Sequence, residues 1–400
     1  MMRADTAGAG TTAKGITLIY AQVLPVMAIV SLFAAIPKMF ATFGHLPHAG
    51  FLIPAIVTIP SLCAALFAPV AGFIADRYGR RRSFIGGMAL YVAAGLVPLF
   101  ASDLTTIMTS RAVLGIAEAF AITISSALIG DYFGNQRHRW VAWVGVATSV
   151  AGTGLIAVGG VLADVGWRGP FAIYLAAIPG LVMALLFIDE PRSEAQAGNH
   201  GQRVRTPFPW REAAIIGAVT LTTSILYYVE PLHIARVLDA RGAGSATRIG
   251  LIQATTSLAY IAGAFLYRRL HARPIGQLLA VAGVLIGVGQ LVIGFGTGWH
   301  IVAAGALIQQ LGGGMVIPAL LAWGQALLPL EQRGRGMGIW ATAFFGGTFL
   351  CSPIVDIMGG PAGGLVPAMA AMGALTLILA SIAPLVLATR RTVHGVSAAS

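Results

Sequence analysis

Long apolar runs broken by short polar punctuation fill this chain almost from end to end. Reading the runs against the charge clusters places spans near 16–38, 51–75, 84–101, 105–130, 140–163 and 170–188. A second set lies near 212–234, 247–268, 275–297, 300–327, 336–357 and 363–388. Each run approaches or exceeds the roughly 20 predominantly apolar residues that a helix needs to cross a hydrocarbon core. The expected fold class is an all-α membrane protein of about 12 transmembrane helices in two pseudo-symmetric six-helix bundles.

The longest polar break, from Asp189 to Arg211, sits midway and mixes Pro, Gly, Asn and both signs of charge. It reads as a linker, giving an N-terminal bundle over 1–190, a cytoplasmic linker over 191–211 and a C-terminal bundle with a short tail over 212–400. Each half carries a basic turn after its second span and another after its fourth, an internal echo expected of a duplicated transporter. Asn135-Gln136-Arg137 against Glu331-Gln332-Arg333 is the clearest instance.

Composition then excludes a water-soluble fold, because 57% of the residues are hydrophobic and only 10% charged, with a mean hydropathy of +0.83. A net charge of +11 would suggest nucleic acid in a soluble protein. Here most Lys and Arg fall in alternate loops, which makes them an orientation signal and implies no nucleic-acid partner. Arg77, Arg80, Arg81, Arg82, Arg137, Arg139 and the linker arginines share one side with both termini, so that side is taken as the cytoplasm. The loop holding Arg236, Arg241 and Arg248 runs against this pattern. The first apolar run, Ile16 to Pro37, is too long for a signal-peptide core and reads as an uncleaved first span. Scarce lysine, only Lys14 and Lys38, with abundant Ala and Gly suggests a bacterial source, and hence the inner membrane. Cys63 and Cys351 lack metal-ligand spacing and read as packing residues.

The most specific local pattern is Gly72-Phe73-Ile74-Ala75-Asp76-Arg77-Tyr78-Gly79-Arg80-Arg81-Arg82, between the second and third spans. It resembles the Gly-x-x-x-Asp-Arg-x-Gly-Arg-Arg/Lys turn of the major facilitator superfamily at every position. Gly72 is expected to permit close helix approach and Gly79 a tight turn. Asp76 can cap a helix N-terminus or pair with arginine, latching one conformation at the cytoplasmic side. Asp131, Glu190 and Arg192 could complete that charge network around Arg77 and Arg80.

Arg111 and Gly115 in the fourth span resemble the Arg-x-x-x-Gly pattern that the same family carries there. An intramembrane charge costs on the order of 3 kcal/mol and reads as functional. The resemblance associates this arginine with proton coupling in the twelve-helix drug/proton exchangers. Glu118, outside the shared motif, is two turns further and about 10 Å away along the axis, too far for a direct pair. Glu118 is expected to take up and release the proton, with burial and Arg111 acting on it in opposite senses. A fixed structural role for the two is the alternative. Glu230, three residues before His233, is a second candidate for proton relay or cation binding.

By the same resemblance spans one, four, seven and ten line a central cavity, which favours Gln22, Gln309, Gln310 and Tyr227 as substrate contacts. Bonding between helices is the plain alternative for each amide. In the fifth span Leu155 and Ile156 stand where the exporters carry Gly-Pro, which leaves the direction of transport open. No metalloprotease helix, nucleophile elbow or phosphate loop is present, so no enzyme activity and no cofactor is expected. The sequence thus points to proton-coupled efflux of a small organic solute by a monomer in the bilayer. A proton-linked importer of a metabolite such as an organic acid, with Arg111 holding the carboxylate, and a non-transporting membrane sensor are the alternatives.

Overall fold

The computed structural model describes residues 2–191, 208–329 and 333–388. Among them every regular element is helical. Lipid offers the backbone no partners, so each apolar run must close its own N–H and C=O groups within a helix. Twelve stretches have the length and apolar character to cross a membrane, and the chain is a multi-pass membrane protein.

In chain order the first half holds α1 (Met2–Val30), α2 (Ile36–Phe43), α3 (Ala49–Tyr78), α4 (Arg80–Phe100), α5 (Leu104–Phe133), α6 (Arg137–Val165) and α7 (Ala177–Phe187). The second holds α8 (Trp210–Ala240), α9 (Ala246–Leu270), α10 (Ile275–Phe295), α11 (Trp299–Leu327), α12 (Arg333–Ala362) and α13 (Leu365–Ala388). The first and sixth spans, expected as single helices, are not uniform. The first is interrupted by a 3-10 turn at Phe33–Ala35 before α2. Pro37, at the start of α2, has no N–H to bond back to the preceding turn, so the regular ladder cannot continue. The sixth span opens as a 3-10 helix over Gly169–Ala176, again with a proline in its first turn.

The chain divides into two compact units between Phe208 and Pro209. Their internal pairings repeat. In the first unit α1 packs on α6, α3 on α5 and α4 on α7; in the second α8 packs on α12, α9 on α11 and α10 on α13. Counted as spans, the first and fifth, second and fourth, and third and sixth of each unit are partners. Of the second-half motif residues, Glu331 and Gln332 lie outside the described residues, as does most of the linker.

Small residues set the closest crossings, as expected where lipid supplies no hydrophobic drive for helices to associate. A methyl group on Gly115 of α5 would lie 2.2 Å from the Pro60 carbonyl oxygen of α3. One on Gly314 of α11 would lie 1.9 Å from the Tyr260 carbonyl oxygen of α9. Gly72 corrects the sequence reading: a methyl there would meet only Thr123 Cγ2, at an ordinary 3.7 Å. The two α3–α5 glycines are therefore expected to respond with opposite signs. Gly115→Ala should destabilise by about 1–3 kcal/mol, because backbone must move to admit it. Gly72→Ala should leave stability unchanged or raise it by up to about 1 kcal/mol, because alanine is the better helix former. Thermal unfolding in detergent measures both.

Candidate functional site

The basic turn is built on one residue. Gly79 joins α3 to α4 with φ +98°, a backbone region that favours glycine. Its tight geometry presents the first amides of α4 to a carboxylate distant in sequence. Arg80 N and Arg81 N donate to the two oxygens of Glu190, at 2.7 and 2.9 Å. Free N–H groups and the positive end of the helix dipole make such a start an anion site. The cap expected of Asp76 is thus made by Glu190, because Asp76 lies in the last turn of α3 and cannot reach ahead of α4. Asp76 takes its other expected role, with an oxygen 3.7 Å from Arg80 Nη2.

Arg80 also forms an ion pair with Asp131 on α5. Arg81 donates to the Ile188 and Leu185 carbonyls at 2.6 and 3.2 Å, tying α4 to the end of α7. Arg77 is exposed and lies over the Tyr78 ring at 5.8 Å. Arg192 is outside the described residues. Three members of this network escaped the sequence reading. Lys14 of α1 pairs with Asp189 at 2.7 Å and lies over the Tyr132 ring, and the Tyr132 hydroxyl donates to the Asp189 carbonyl. Removing the cap, Glu190→Ala, is expected to cost about 1 kcal/mol, a fall of about 2–4 °C in melting temperature for a unit of this size.

Deeper in the first unit, Arg111 of α5 is fully buried, at 0% exposure. Nε donates to the Ile56 carbonyl of α3 at 3.0 Å and Nη2 to the Ala28 carbonyl of α1 at 2.6 Å. Nη1 donates to the Tyr174 hydroxyl, and the guanidinium lies 5.3 Å from that ring's centre. Among the described residues no carboxylate pairs with it. Tyr174 is missing from the sequence candidates because an apolar run with one aromatic reads as ordinary packing.

Glu118, on the same helix, is 1% exposed, and its Oε1 has no hydrogen-bond partner among the described residues. Arg111, Tyr91, Tyr174 and Cys63 stand within its electrostatic reach. Gln22 of α1 meets α5 one and two turns beyond Glu118, donating to Ser126 Oγ at 2.7 Å and to the Ile122 carbonyl at 3.5 Å. The structure therefore brings Gln22, Arg111 and Glu118 to the contact of α1 with α5.

In the second unit Tyr227, Glu230, Gln309 and Gln310 come together where α8 meets α11. Gln310 Nε2 donates to Glu230 Oε2 at 2.7 Å, and Gln309 Nε2 to the Tyr227 carbonyl at 2.8 Å. Glu230 is 1% exposed. His233, expected as its partner, turns away: Nδ1 bonds the Val229 carbonyl at 2.8 Å. A carbonyl can only accept, so Nδ1 carries the hydrogen, and Nε2 is buried with no partner among the described residues.

Gln310 precedes Gly314 by four residues, as Arg111 precedes Gly115, and both glycines form a close crossing between the second and fourth spans of their unit. Both side chains reach the first helix of their own unit, Arg111 to Ala28 and Gln310 to Glu230. Gln310 is thus the counterpart of Arg111, with a neutral amide in place of the guanidinium. The shared four-residue spacing to a glycine was the sequence signal that could have found it.

The sequence profile described as the Major Facilitator Superfamily matches residues 18–239. The chain is 33% identical over 136 residues to the drug efflux pump JefA of Mycobacterium tuberculosis, covering 32% of this chain and 26% of that protein. It is 29% identical over 241 residues to the rat (Rattus norvegicus) vesicular acetylcholine transporter, covering 57% and 45%. With the multidrug transporter MdtP of Bacillus subtilis it shares 26% identity over 194 residues, 48% of this chain and 33% of that one. The matches thus span less than half the length of each of these relatives. Among solved structures, a bacterial homologue of the human lysosomal transporter Spinster aligns with TM-score 0.73 at 15% identity, covering 95% of this chain and 97% of that one. A D-xylose–proton symporter aligns with TM-score 0.69 at 16% identity, covering 92% and 96%.

Proposed function

We propose that this chain, which belongs to the Major Facilitator Superfamily, exports a small organic solute in exchange for protons by alternating access, with Glu118 as the proton-carrying group. The family makes it a transporter of small molecules and not an enzyme. The observation that supports a proton site is the buried carboxyl of Glu118, whose Oε1 has no hydrogen-bond partner among the described residues, on a helix whose one arginine is already engaged elsewhere. Intramembrane acids of this kind mark proton relays. Glu230, whose amide partner is uncharged, is the second proton candidate. Arg111 holds the contact of α1, α3 and α5 around Glu118 as a positioning residue. Gln22, Tyr227, Gln309 and Gln310 contribute the polar groups of the solute path, and the Asp76–Arg82 turn with Asp131 and Glu190 forms the cytoplasmic latch. The same reading places both termini in the cytoplasm of a bacterium, the chain in its inner membrane, and the monomer as the working unit.

Two observations favour export over import of an organic acid. All three nitrogens of the Arg111 guanidinium have acceptors, and the side chain is buried, so it presents no free fork to a carboxylate. The relatives JefA and MdtP are named for drug efflux and multidrug transport. Everted and right-side-out vesicles carrying an imposed pH gradient test the reading with cationic, neutral and acidic probe compounds. Protonophore-sensitive accumulation in everted vesicles is the expected result. Accumulation confined to right-side-out vesicles would establish an importer, and binding without counterflow a sensor.

A further inference from the structure

Between α1 and α6 the first unit holds a groove of about 770 Å³ that the transport reading does not use. The two helices run parallel, Gly15 meeting Trp140 and Gly152 meeting Val26, so the start of α6 shares a level with the third turn of α1. That level is polar, formed by Thr11 and Thr12 of α1 with Gln136 and Arg139 beside the start of α6. One to two turns deeper the lining becomes apolar, through Ile16, Ile19, Trp140 and Trp143. At 1.5 Å of rise per residue, Ile19 lies about 10 Å below Thr12.

The floor is fixed. Trp140 stacks on Phe133 with ring centroids 4.4 Å apart, and it fits only because residue 15 is glycine, where a methyl would lie 2.1 Å from the ring. Ile16 and Trp143 are each about half exposed, which in a membrane-spanning helix leaves apolar surface for a chain to cover. The charge is one-sided. Among the described residues no acid lines the groove. Arg139 forms no ion pair among the described residues, and Lys14, the neighbouring cation, is already paired with Asp189 on another face of α1.

We propose that this groove seats one anionic phospholipid, its phosphate against Arg139 and its acyl chain along Ile16, Ile19 and Trp143. Tryptophan with arginine at the level where a helix enters the bilayer is the side-chain pair that anchors interfacial groups, and basic pockets between spans bind anionic headgroups. Among the described lining residues a zwitterionic lipid meets no acid to hold its ammonium. The site does not depend on whether the chain exports, imports or senses.

Native mass spectrometry of the full chain, with phosphatidylglycerol and phosphatidylcholine of matched acyl chains, tests the assignment. The wild type is expected to retain phosphatidylglycerol preferentially. Arg139→Gln should lower that preference about fivefold, Arg139→Lys should keep it, and Trp143→Ser should weaken retention of both lipids. An unchanged preference in Arg139→Gln overturns the proposal. So does displacement of phosphatidylglycerol by millimolar inorganic phosphate, which would make the groove a site for a soluble anion.

Discussion

Glu118→Gln is expected to reduce substrate-driven proton movement in proteoliposomes to background, a fall of about 100-fold or more if the carboxyl is the group that carries the proton. The substitution keeps the shape of the side chain and removes only its ability to ionise. Because Glu118 Oε1 has no hydrogen-bond partner among the described residues, no such bond is broken at that oxygen by the change, and stability should stay within about 1 kcal/mol of wild type. Binding of the solute should survive while its coupling to protons does not. Flux equal to wild type would remove Glu118 from the mechanism. The same experiment on Glu230→Gln then decides between the two acids, with one difference: Gln310 donates to Glu230 at 2.7 Å, and a glutamine at 230 can still accept that bond.

Arg111→Ala is expected to cost about 3–5 kcal/mol, the usual penalty for removing one member of a buried charged network. The side chain is 0% exposed, and its loss removes the buried donor to the Ile56 carbonyl and to the Tyr174 hydroxyl and leaves the Ala28 carbonyl with only the 3.2 Å bond from Tyr174. Each hydrogen bond to a charged group contributes about 1.5–3 kcal/mol, and the vacated volume adds a cavity term. For a bundle of this size the melting temperature should fall by about 10 °C. Arg111→Lys keeps the charge but replaces a planar fork by one ammonium, so an intermediate loss is expected. Tyr174→Phe, which removes one acceptor, should cost about 1 kcal/mol. Melting of Arg111→Ala at the wild-type temperature would show that the three acceptors are not what holds α1, α3 and α5 together.

These two predictions divide a pair of residues that the sequence linked only by sharing a helix. Arg111 and Glu118 both read as functional because charge inside a span is expensive. The structure separates their circumstances: each nitrogen of Arg111 donates to a protein acceptor, and Glu118 Oε1 has no hydrogen-bond partner among the described residues. The same separation applies to the basic turn. Asp76, prominent in the motif, is held at 3.7 Å from Arg80, while Glu190, 110 residues away in sequence, makes two short bonds to the amides of α4. In the second unit Glu230 and His233, paired by spacing, go to different partners, because His233 bonds its own helix backbone.

By itself the sequence determined the number of spans, their helical state and the one-residue turn at Gly79. These follow from forces that act along the chain: apolar length sets what can cross the bilayer, the absence of water makes each span close its own backbone bonds, and a positive φ selects glycine. Only the tertiary structure decided which buried polar groups are satisfied and by whom. Arg111 finds its acceptors 55 and 83 residues away, and Gln310 finds Glu230 80 residues away. Such partners depend on which helices cross and how closely. Crossing distance is set where a glycine meets a backbone carbonyl, as at Gly115 and Gly314 but not at Gly72, and nothing local to a glycine tells which of these it will be.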